Sequence, residues 1–276
     1  MKSTKQEQIT IGLDIGSSTT KVVGYTQSGN LVGALQLDHK ETTANAFDAV
    51  DKFLGKYQLK RADVARIAVT GVGSVGLTEQ FGNVPVTIAD EFLATAKGAL
   101  FLAGLEKAII VSMGTGTVLL RADEGEVRHL GGSGVGGGTL AGLCRHFYPV
   151  DGIEDIMAQM SAGDLGKVDL HIRDLVDDAS YVLGGDVTAS NFGKITKDAT
   201  SADMMLGFAN MIYETIGMMA AFACANDSIK TVVLTGSLTA LPQVSARFAA
   251  VQDLTGVKFV IPENAVYATA IGAVLC

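Results

Sequence analysis

Two stretches of the chain share one pattern of hydrophobic and polar positions. Residues Ile11–Tyr25 and Ala108–Leu120 each run from apolar residues through a short turn of Gly, Ser and Thr into a second apolar run. This pattern predicts strand, tight turn and strand in both places. Because each hairpin heads one half of the chain, the pair indicates a duplicated domain whose two turns face each other across a cleft.

The remaining elements of the first half follow from periodicity. A further strand region covers Tyr25–Leu37 with a turn at Ser28–Asn30, and an amphipathic helix is predicted from about Thr42 to Tyr57. Ile67–Gly71 reads as a short strand that leads into a loop with Gly73 and Gly76. Val84–Ile88 is predicted to be an edge strand, since Pro85 has no N–H to donate to a ladder. A helix then extends through Leu102.

The second half continues with a strand, a turn at Asp123–Gly125 and a strand, followed by a glycine run that enters a helix near Thr139. Helical patterns of mixed quality cover Ile153–Val182, and Val187–Gly193 is a polar loop without a physical assignment. The last predicted elements are a long helix, two strands and a closing helix: Asp203–Ala225, Val232–Thr235, Val257–Pro262 and Ala265–Leu275.

The turns offer groups that suit a phosphate. The first turn supplies small residues, backbone N–H groups and hydroxyls, with Lys21 nearby, while Asp14 at the strand end suits a hydrated Mg²⁺. The same turn is also compatible with an ordinary polar hairpin. The glycine run Leu130–Leu143 precedes a helix, whose first N–H groups and dipole suit a phosphate at close range. The small loop after Thr235 lies where open α/β sheets bind ligands.

Two pairs of polar residues are candidates for the chemistry. Asp90 and Glu91 stand at a strand-to-helix junction, where one is a candidate general base and both are also favoured by the helix dipole. Arg128 and His129 precede the glycine run, where either is suited to an anionic substrate group or to a surface position on the hairpin edge.

Composition narrows the class of protein. The 276 residues are 48% hydrophobic and 18% charged, with 33 glycines, a net charge of −8 and a pI near 5.0. This balance provides no electrostatic footprint for nucleic acid or an anionic membrane. Three cysteines without close pairing fit a reduced cytosol, and the polar start lacks the apolar core of a signal peptide. Asn210 and Glu214 interrupt the apolar stretch Met204–Cys224, which therefore reads as a buried helix and not as a membrane span. A soluble, cytoplasmic protein is expected.

Taken together, these segments resemble the actin-like ATPase and sugar-kinase superfamily, an α/β fold with two RNase-H-like domains flanking a nucleotide cleft. The order of first phosphate hairpin, second phosphate hairpin, adenosine loop and closing helix is similar to Asp14–Lys21, Met113–Thr117, Thr235–Ser237 and Ala265–Leu275. Within it, nearly the whole chain resembles type II pantothenate kinases. The segments that carry this likeness are Asp14–Gly16, Gly71–Gly73, Glu91–Phe92, Gly114–Thr117, Gly131–Leu143 and Gly185–Gly193.

The resemblance implies ATP-dependent phosphorylation of the primary hydroxyl of pantothenate, in a homodimer. It implies two domains, at residues 1–104 and 105–276. Glu91 would be the general base and Asp14 would organise Mg²⁺, with ATP and Mg²⁺ as the cofactors. Partners among nucleic acids or membranes are not expected. The implied ATP-binding residues are Asp14, Gly16, Ser17, Ser18, Thr19, Thr20, Lys21, Thr115, Gly116, Gly137, Gly138, Thr139, Leu140, Ala141, Gly236 and Ser237. The implied substrate-binding residues are Glu91, Arg128, His129 and Gly131.

One departure from the family pattern and three alternative functions stay open. Relatives typically have Arg where this chain has His129, and strand neighbours point to opposite faces, so a related pantoyl compound such as pantetheine is an alternative acceptor. The hairpin and residues 96–99 also resemble the ATP-dependent activator of 2-hydroxyacyl-CoA dehydratases. That family ligates an iron–sulfur cluster with cysteines, whereas this chain has Ala94 in the corresponding segment. A regulator that binds nucleotide without catalysis is the third interpretation.

Overall fold

The computed structural model describes residues 7–38, 47–74, 77, 81–176 and 184–276. The first part of the predicted helix Thr42–Tyr57, the loop residue Gly76 and the end of the segment Ile153–Val182 lie outside these ranges. The strands are β1 (Ile9–Ile15), β2 (Thr19–Thr26), β3 (Leu31–Asp38), β4 (Val64–Thr70), β5 (Val86–Ile88), β6 (Ala108–Met113), β7 (Thr117–Asp123), β8 (Glu126–Ser133), β9 (Leu170–His171), β10 (Thr188–Ser190), β11 (Thr231–Thr235) and β12 (Lys258–Val260). The α-helices are α1 (Phe47–Lys56), α2 (Glu91–Ala103), α3 (Gly137–Phe147), α4 (Gly152–Met160), α5 (Ser201–Ala225), α6 (Val244–Thr255) and α7 (Ala268–Val274).

The two large sheets repeat one topology. In the described residues the first sheet has the order β3-β2-β1-β4-β5, and the second has the order β8-β7-β6-β11-β12. In each sheet the first three strands in this order pair in antiparallel fashion. The last two strands run parallel to the central strand, which is β1 in the first sheet and β6 in the second. Each central strand is almost wholly buried, which is why β1 and β6 read as continuous apolar runs. The predicted duplication of hairpin-headed domains is confirmed at the level of topology.

Most predicted elements are found close to their expected bounds. The edge position of β5 is confirmed, since it lies at one end of the first sheet. The mixed segment after Ile153 differs: its described part, up to residue 176, forms the nine-residue α4, two short 3₁₀ turns and the two-residue β9. The polar loop around Val187–Gly193 forms the short strand β10, which pairs with β9.

That loop is held on α5 by a polar network. The Thr188 hydroxyl and the Asn191 amide donate to the two carboxylate oxygens of Glu214, at 2.7 and 2.9 Å. The Phe192 N–H donates to the fully buried carboxylate of Asp169, which also accepts from the Asn210 amide. The polar residues that interrupt the apolar helix therefore bind the loop.

The helix α5 is long and apolar, yet it serves as a core helix. Among the described residues it passes the length and composition test for a membrane span, and 56% of its most apolar window is buried inside the protein. Its buried side chains, including Tyr213 and Ile216, pack with β6, β11 and α6 in the largest hydrophobic cluster.

Helices α2 and α7 join the two sheets. The alanines of α2, Ala96 and Ala99, pack against the second sheet. Ala270 and Ile271 of α7 pack against the first sheet, with Val23 of β2. Each helix thus covers the sheet of the other half of the chain, and the two helices pack against each other between the sheets.

The last turn of α7 is tied to the first half of the chain. The Arg66 guanidinium of β4 donates to the Val274 carbonyl at 2.8 Å, and the Lys97 ammonium of α2 donates to the Leu275 carbonyl at 3.2 Å. Both cations lie at a helix C-terminus, where the dipole favours positive charge. The predicted domain boundary between residues 104 and 105 stays a prediction. The helix α7 belongs to the second half of the chain but packs on the first sheet.

Two glycines allow the helices to approach this closely. A Cβ on Gly98 would lie 1.8 Å from the Ala268 carbonyl oxygen, and a Cβ on Gly272 would lie 1.6 Å from the Ala94 carbonyl oxygen. Each glycine faces the backbone of the other helix, so no side-chain rearrangement can make room for a methyl group.

We expect Gly98→Ala to destabilise the protein by about 3 kcal/mol, since overpacking here pushes α2 and α7 apart. Chemical denaturation measures the loss. Gly55→Ala in α1 is the matched control, because a Cβ there meets nothing within 4 Å. It should stabilise by up to about 1 kcal/mol through helix propensity. Equal stability of the two variants would contradict the close crossing.

Candidate active site

The turns of the two hairpins meet across a cleft. The hydroxyls of Ser17 and Ser18 lie 2.8 and 3.1 Å from the hydroxyl of Thr115, which is almost a hundred residues away in the chain. In the first turn the Gly16 N–H donates to the Thr19 carbonyl at 3.0 Å, which keeps the turn tight. Thr20 is buried in β2. The predicted facing arrangement of hydroxyl-bearing turns is therefore what the structure has.

A buried ion pair lies directly behind the first turn. Asp14 of β1 and Lys21 of β2 are opposite each other in the antiparallel register, and the Lys21 ammonium is 3.8 Å from the Asp14 carboxylate. Both side chains are nearly inaccessible to solvent. Burial raises the pKa of Asp14, and the charge and hydrogen bond of Lys21 oppose this shift. The pair keeps one positive and one negative charge at the base of the cleft.

Gly71, at the end of β4, closes the space beside Asp14. It has a φ of +90°, and a Cβ there would lie 2.8 Å from an Asp14 carboxylate oxygen and 2.6 Å from the Ile15 carbonyl oxygen. Only glycine combines this conformation with this approach.

The glycine run forms the wall of the second turn. Helix α3 begins at Gly137, and the N–H groups of Gly137 and Gly138 donate to the carbonyls of Gly114 and Thr115 at 2.8 and 2.9 Å. The sequence predicted that these N–H groups meet a phosphate. In the structure they hold the second turn against α3.

The end of the run is also engaged in the fold. The Thr139 hydroxyl donates to the Gly134 carbonyl and accepts from the Gly136 N–H, so it closes the first turn of α3. Leu140 is fully buried in the core, and Ala141 is partly exposed on the same turn. These residues position the turn at Thr115 and Gly116.

Close packing explains why glycines are needed here. A Cβ on Gly136 would lie 2.7 Å from the Thr115 carbonyl oxygen, and a Cβ on Gly138 would lie 2.8 Å from the Thr115 methyl group. A Cβ on Gly116 would lie 2.8 Å from the Ser133 carbonyl oxygen. The glycine run and the second turn are therefore two surfaces that fit at backbone distance.

The predicted adenosine loop lies beside the second turn. Gly236 has a φ of +89°, and a Cβ there would lie 2.5 Å from the Met113 carbonyl oxygen. Ser237 follows in a short 3₁₀ turn that the buried Tyr213 hydroxyl anchors by donating to the Leu238 carbonyl at 2.9 Å. The structure thus brings Gly236 and Ser237 next to the second hairpin.

Asp90 and Glu91 have separate functions in the structure. Asp90 caps α2, since its carboxylate accepts from the Leu93 N–H at 2.8 Å. Glu91 is the first helical residue and keeps contact with solvent. Partial burial raises its pKa, the charges of Asp14 and Asp90 raise it further, and Lys21 lowers it. The Glu91 carboxylate therefore lies within electrostatic reach of the buried ion pair.

Arg128 and His129 lie on opposite faces of β8. His129 pairs with Leu120, and its ring stacks on Phe92 with centroids 4.9 Å apart and 17° between the planes. Arg128 pairs with Arg121 on the other face, where its charge acts on Asp227. The structure brings His129 to the Glu91 side of the sheet, and it does not bring Arg128 there.

Gly131 marks an irregularity in the same strand. It pairs with Leu119, whereas His129 pairs with Leu120, so Leu130 is an extra residue on β8. The φ of Gly131 is +149°, which favours glycine. Gly131 therefore bends the strand between His129 and the glycine run.

The stacking of Phe92 on His129 was not predicted from the sequence. Phe92 directly follows Glu91 and is 37% exposed, and its partner His129 is nearly forty residues away. An exposed aromatic residue in the first turn of a helix at a strand junction was the available signal. The contact itself depends on the packing of α2 on the second sheet.

The charged groups of the cleft fit a magnesium site with a single protein carboxylate. No group of three or more His, Cys, Asp or Glu residues suited to a metal occurs among the described residues. Magnesium in phosphotransferases is usually held by one or two carboxylates together with substrate phosphates and water. Asp14 fits this requirement as a single carboxylate at the cleft base.

The fold and the cleft are those of the actin-like ATPase fold, as predicted. Two solved structures share it over nearly the full length. The activator of the 2-hydroxyisocaproyl-CoA dehydratase from Clostridium difficile, with bound ADPNP, matches with a TM-score of 0.69 at 18% identity, covering 97% of this chain and 93% of that one. A ROK family glucokinase from Streptomyces griseus, with glucose and AMPPNP, matches with a TM-score of 0.57 at 13% identity, covering 96% and 98%.

Sequence comparisons define the family. The sequence model of the Fumble family matches residues 107–252, more than half of the chain, so the chain belongs to the Fumble family. The model of the BadF/BadG/BcrA/BcrD ATPase family matches residues 11–143. The type II pantothenate kinase of Staphylococcus haemolyticus (strain JCSC1435) is 26% identical over 274 residues, covering 96% of this chain and 98% of the relative.

A second relative agrees. The type II pantothenate kinase of Staphylococcus aureus (strain USA300) is 26% identical over 275 residues, covering 95% of this chain and 97% of the relative. The predicted resemblance to type II pantothenate kinases is confirmed.

We expect Lys21→Met to destabilise the protein by about 3 kcal/mol at neutral pH, because Asp14 is then left buried without its partner charge. The pKa of Asp14 is already raised above its ordinary 3.8, so the folded state binds this proton more tightly than the unfolded state. The deficit of the variant should therefore shrink as pH falls toward 3.8 and Asp14 becomes protonated.

Chemical denaturation at several pH values measures this deficit. The double variant Asp14→Asn/Lys21→Met is the control, and it should be more stable than Lys21→Met because no buried charge remains. A Lys21→Met variant as stable as wild type at neutral pH would show that the pair contributes nothing.

Proposed function

We propose that this protein transfers the γ-phosphoryl group of ATP to the primary hydroxyl of pantothenate, the first step of coenzyme A biosynthesis. The relatives named type II pantothenate kinase support the reaction class at 26% identity. The observation that carries the proposal is the position of Glu91. It stands at the start of α2, where the charges of the Asp14–Lys21 pair act on its carboxylate.

ATP is proposed to bind between the two hairpins. The Gly16–Lys21 turn, Thr115 and Gly116 would contact its phosphates, with the start of α3 at Gly137–Ala141 behind them. The adenosine would lie at Gly236 and Ser237, which are adjacent to the second hairpin. The contact between Ser17, Ser18 and Thr115 brings the phosphate-binding groups together, and ATP would replace these hydroxyl contacts with contacts to its own oxygens.

Asp14 is proposed to organise Mg²⁺, directly or through water. A bound Mg²⁺ would neutralise charge on the phosphates. The chain's own contribution is fixed charge, because the buried Lys21 holds Asp14 in place at the base of the cleft. This matches phosphoryl transfer, in which positioning and charge neutralisation account for most of the catalysis.

Glu91 is proposed to accept the proton of the acceptor hydroxyl. Burial, Asp14 and Asp90 raise its pKa, so its carboxylate is a stronger base than an exposed one. Asp90, as the helix cap, fixes the first turn of α2 and so the direction of Glu91. His129 and Gly131 would lie on the acceptor side, and Arg128 is left out because it faces away.

The activator of 2-hydroxyacyl-CoA dehydratases is the second candidate, since one such activator shares the fold with a TM-score of 0.69. A cluster shared between subunits needs thiolates at the subunit surface. Cys144 and Cys224 are buried in the core, and Cys276 is at the exposed end of α7. None lies on the α2 segment 91–94, so we disfavour this function.

The test of the proposal is ADP release from Mg-ATP with and without pantothenate. Release that depends on pantothenate is the expected result. Release without an acceptor, or no release from protein that binds ATP, would favour a different acceptor or a regulator without catalysis.

We expect Glu91→Gln to lower kcat by about 10²–10⁴-fold, the usual contribution of a general base, while the Kd for ATP stays close to wild type. In wild type, kcat/KM should fall as pH drops through the pKa of Glu91, which lies above its ordinary 4.5. The Glu91→Gln variant should lack this acid limb.

Steady-state kinetics and ATP titration measure the two quantities. Glu106→Gln, an exposed carboxylate beyond α2, is the matched control and should behave as wild type. A Glu91→Gln variant with wild-type turnover would remove Glu91 from the mechanism.

We also infer a cytoplasmic homodimer formed through the α5 region. Phe222 on α5 is 70% exposed, and together with Met218 and Ala221 it lines an open, mostly apolar groove of about 500 Å³. An exposed phenylalanine at the rim of an apolar groove gives a self-complementary interface both a projecting ring and a place to bury it. The occupant is proposed to be the same face of a second copy.

Phe222→Lys should convert the dimer to a monomer at micromolar concentration, because a charge at the centre of an apolar interface loses its solvation. Sedimentation velocity measures the change. Gln27→Lys, in the exposed turn after β2, adds the same charge elsewhere and should leave the dimer intact. A Phe222→Lys variant that sediments as wild type would exclude this interface.

A further inference from the structure

The geometry of phosphoryl transfer limits where the body of the acceptor lies. In phosphoryl transfer the attacking oxygen, the phosphorus and the leaving oxygen lie roughly in line. With ATP between the hairpins and the acceptor hydroxyl at Glu91, the acceptor extends away from the hairpins. Phe92 directly follows Glu91 in α2, and its exposed ring, with the His129 ring stacked on it, is a surface next to Glu91 that is available to the acceptor.

The charges near this surface are unfavourable for a second anion. The charged groups that act on Glu91 are Asp14, Asp90 and Lys21. Lys21 is already engaged with Asp14 in the buried pair, and Asp90 is fixed as the cap of α2. A carboxylate on the acceptor would therefore approach Glu91 and Asp90 with no unengaged cation among these groups.

Nor does the neighbouring strand supply a cation. Arg128 lies on the opposite face of β8 with Arg121, whose guanidinium is held by Asp123 and Asp227 at 2.8 and 2.7 Å. On the face toward Glu91, β8 presents His129, whose ring is stacked flat against Phe92. This wall offers aromatic surface and an imidazole nitrogen, which suit an amide.

We propose that His129, stacked on Phe92, is a specificity-determining residue that makes the site prefer pantoyl acceptors whose tail ends in an uncharged amide over those that end in a carboxylate. The inference rests on the proposed function, because it places the acceptor hydroxyl at Glu91. It ranks pantoyl compounds in which an uncharged amide replaces the carboxylate, pantetheine among them, above pantothenate in the same reaction.

The experiment compares two acceptors of the same shape that differ only in the terminal group, a carboxylate or a primary amide. These are pantothenate and pantothenamide, its primary amide, assayed by ADP release on the full-length protein with Mg-ATP. For wild type we expect kcat/KM to be about tenfold higher with the amide, and tenfold corresponds to about 1.4 kcal/mol. His129→Arg should shift the ratio of the two kcat/KM values about tenfold toward pantothenate, since a guanidinium pairs with a carboxylate.

Two further variants separate charge from packing. His129→Gln loses the stacked ring and adds no charge, so both acceptors should weaken together and the ratio should stay within about twofold of wild type. Arg128→Gln tests the alternative cation. If Arg128 held the acceptor carboxylate, its loss would lower kcat/KM for pantothenate alone.

The kinetic results distinguish the specificity proposal from the proposed kinase function. An amide preference in wild type that His129→Arg abolishes supports the proposal. A wild type that prefers pantothenate, or a selective loss of pantothenate turnover in Arg128→Gln, overturns it and leaves the kinase function standing. If neither alcohol is phosphorylated by protein that binds ATP, the proposed function fails and the specificity proposal fails with it.

Discussion

The crossing of α2 and α7 is the contact on which the rest of the structure depends. At Gly98 and Gly272 the two helices touch backbone to backbone, with no room for a Cβ on either side. Because α2 packs on the second sheet and α7 on the first, this contact fixes how the two sheets face each other. Close packing is sensitive to a single methylene, so the approach of the helices sets the width of the cleft. The meeting of the hairpin turns at Thr115 follows from it.

The same helix connects the scaffold to the chemistry. Glu91 is the first residue of α2, and Phe92 beside it carries the stack with His129 of the second sheet. A residue counted with the first half of the chain is thereby positioned by contacts with the second half. The buried Asp14–Lys21 pair completes the site from beneath, and its charges reach Glu91. A desolvated pair of this kind is weak support for stability, and its value here is to hold charge in a fixed place.

Local pattern was sufficient to predict the hairpins, the edge position of β5 and the long helix α5. Each of these depends on residues that are neighbours in the chain, such as the apolar runs on both sides of Gly16 or the proline at position 85. Contacts between residues that are distant in the chain could not be predicted from local pattern. The N–H groups of Gly137 and Gly138 are engaged by carbonyls of the second turn, and nothing in a run of glycines distinguishes such a partner from a phosphate. The opposite directions of Arg128 and His129 were predicted from strand alternation, but the stack on Phe92 needed the fold.

The position of α7 on the first sheet has a consequence for biosynthesis. During translation the first sheet emerges early, yet the helix that covers one of its faces, with Ala270 and Ile271 against Val23, is made only after the entire second sheet. Until then the nascent N-terminal half exposes apolar surface, the kind of state that chaperones bind. Cotranslational folding of this protein therefore cannot proceed one half at a time, and the ribosome must deliver nearly the whole chain before either half is complete.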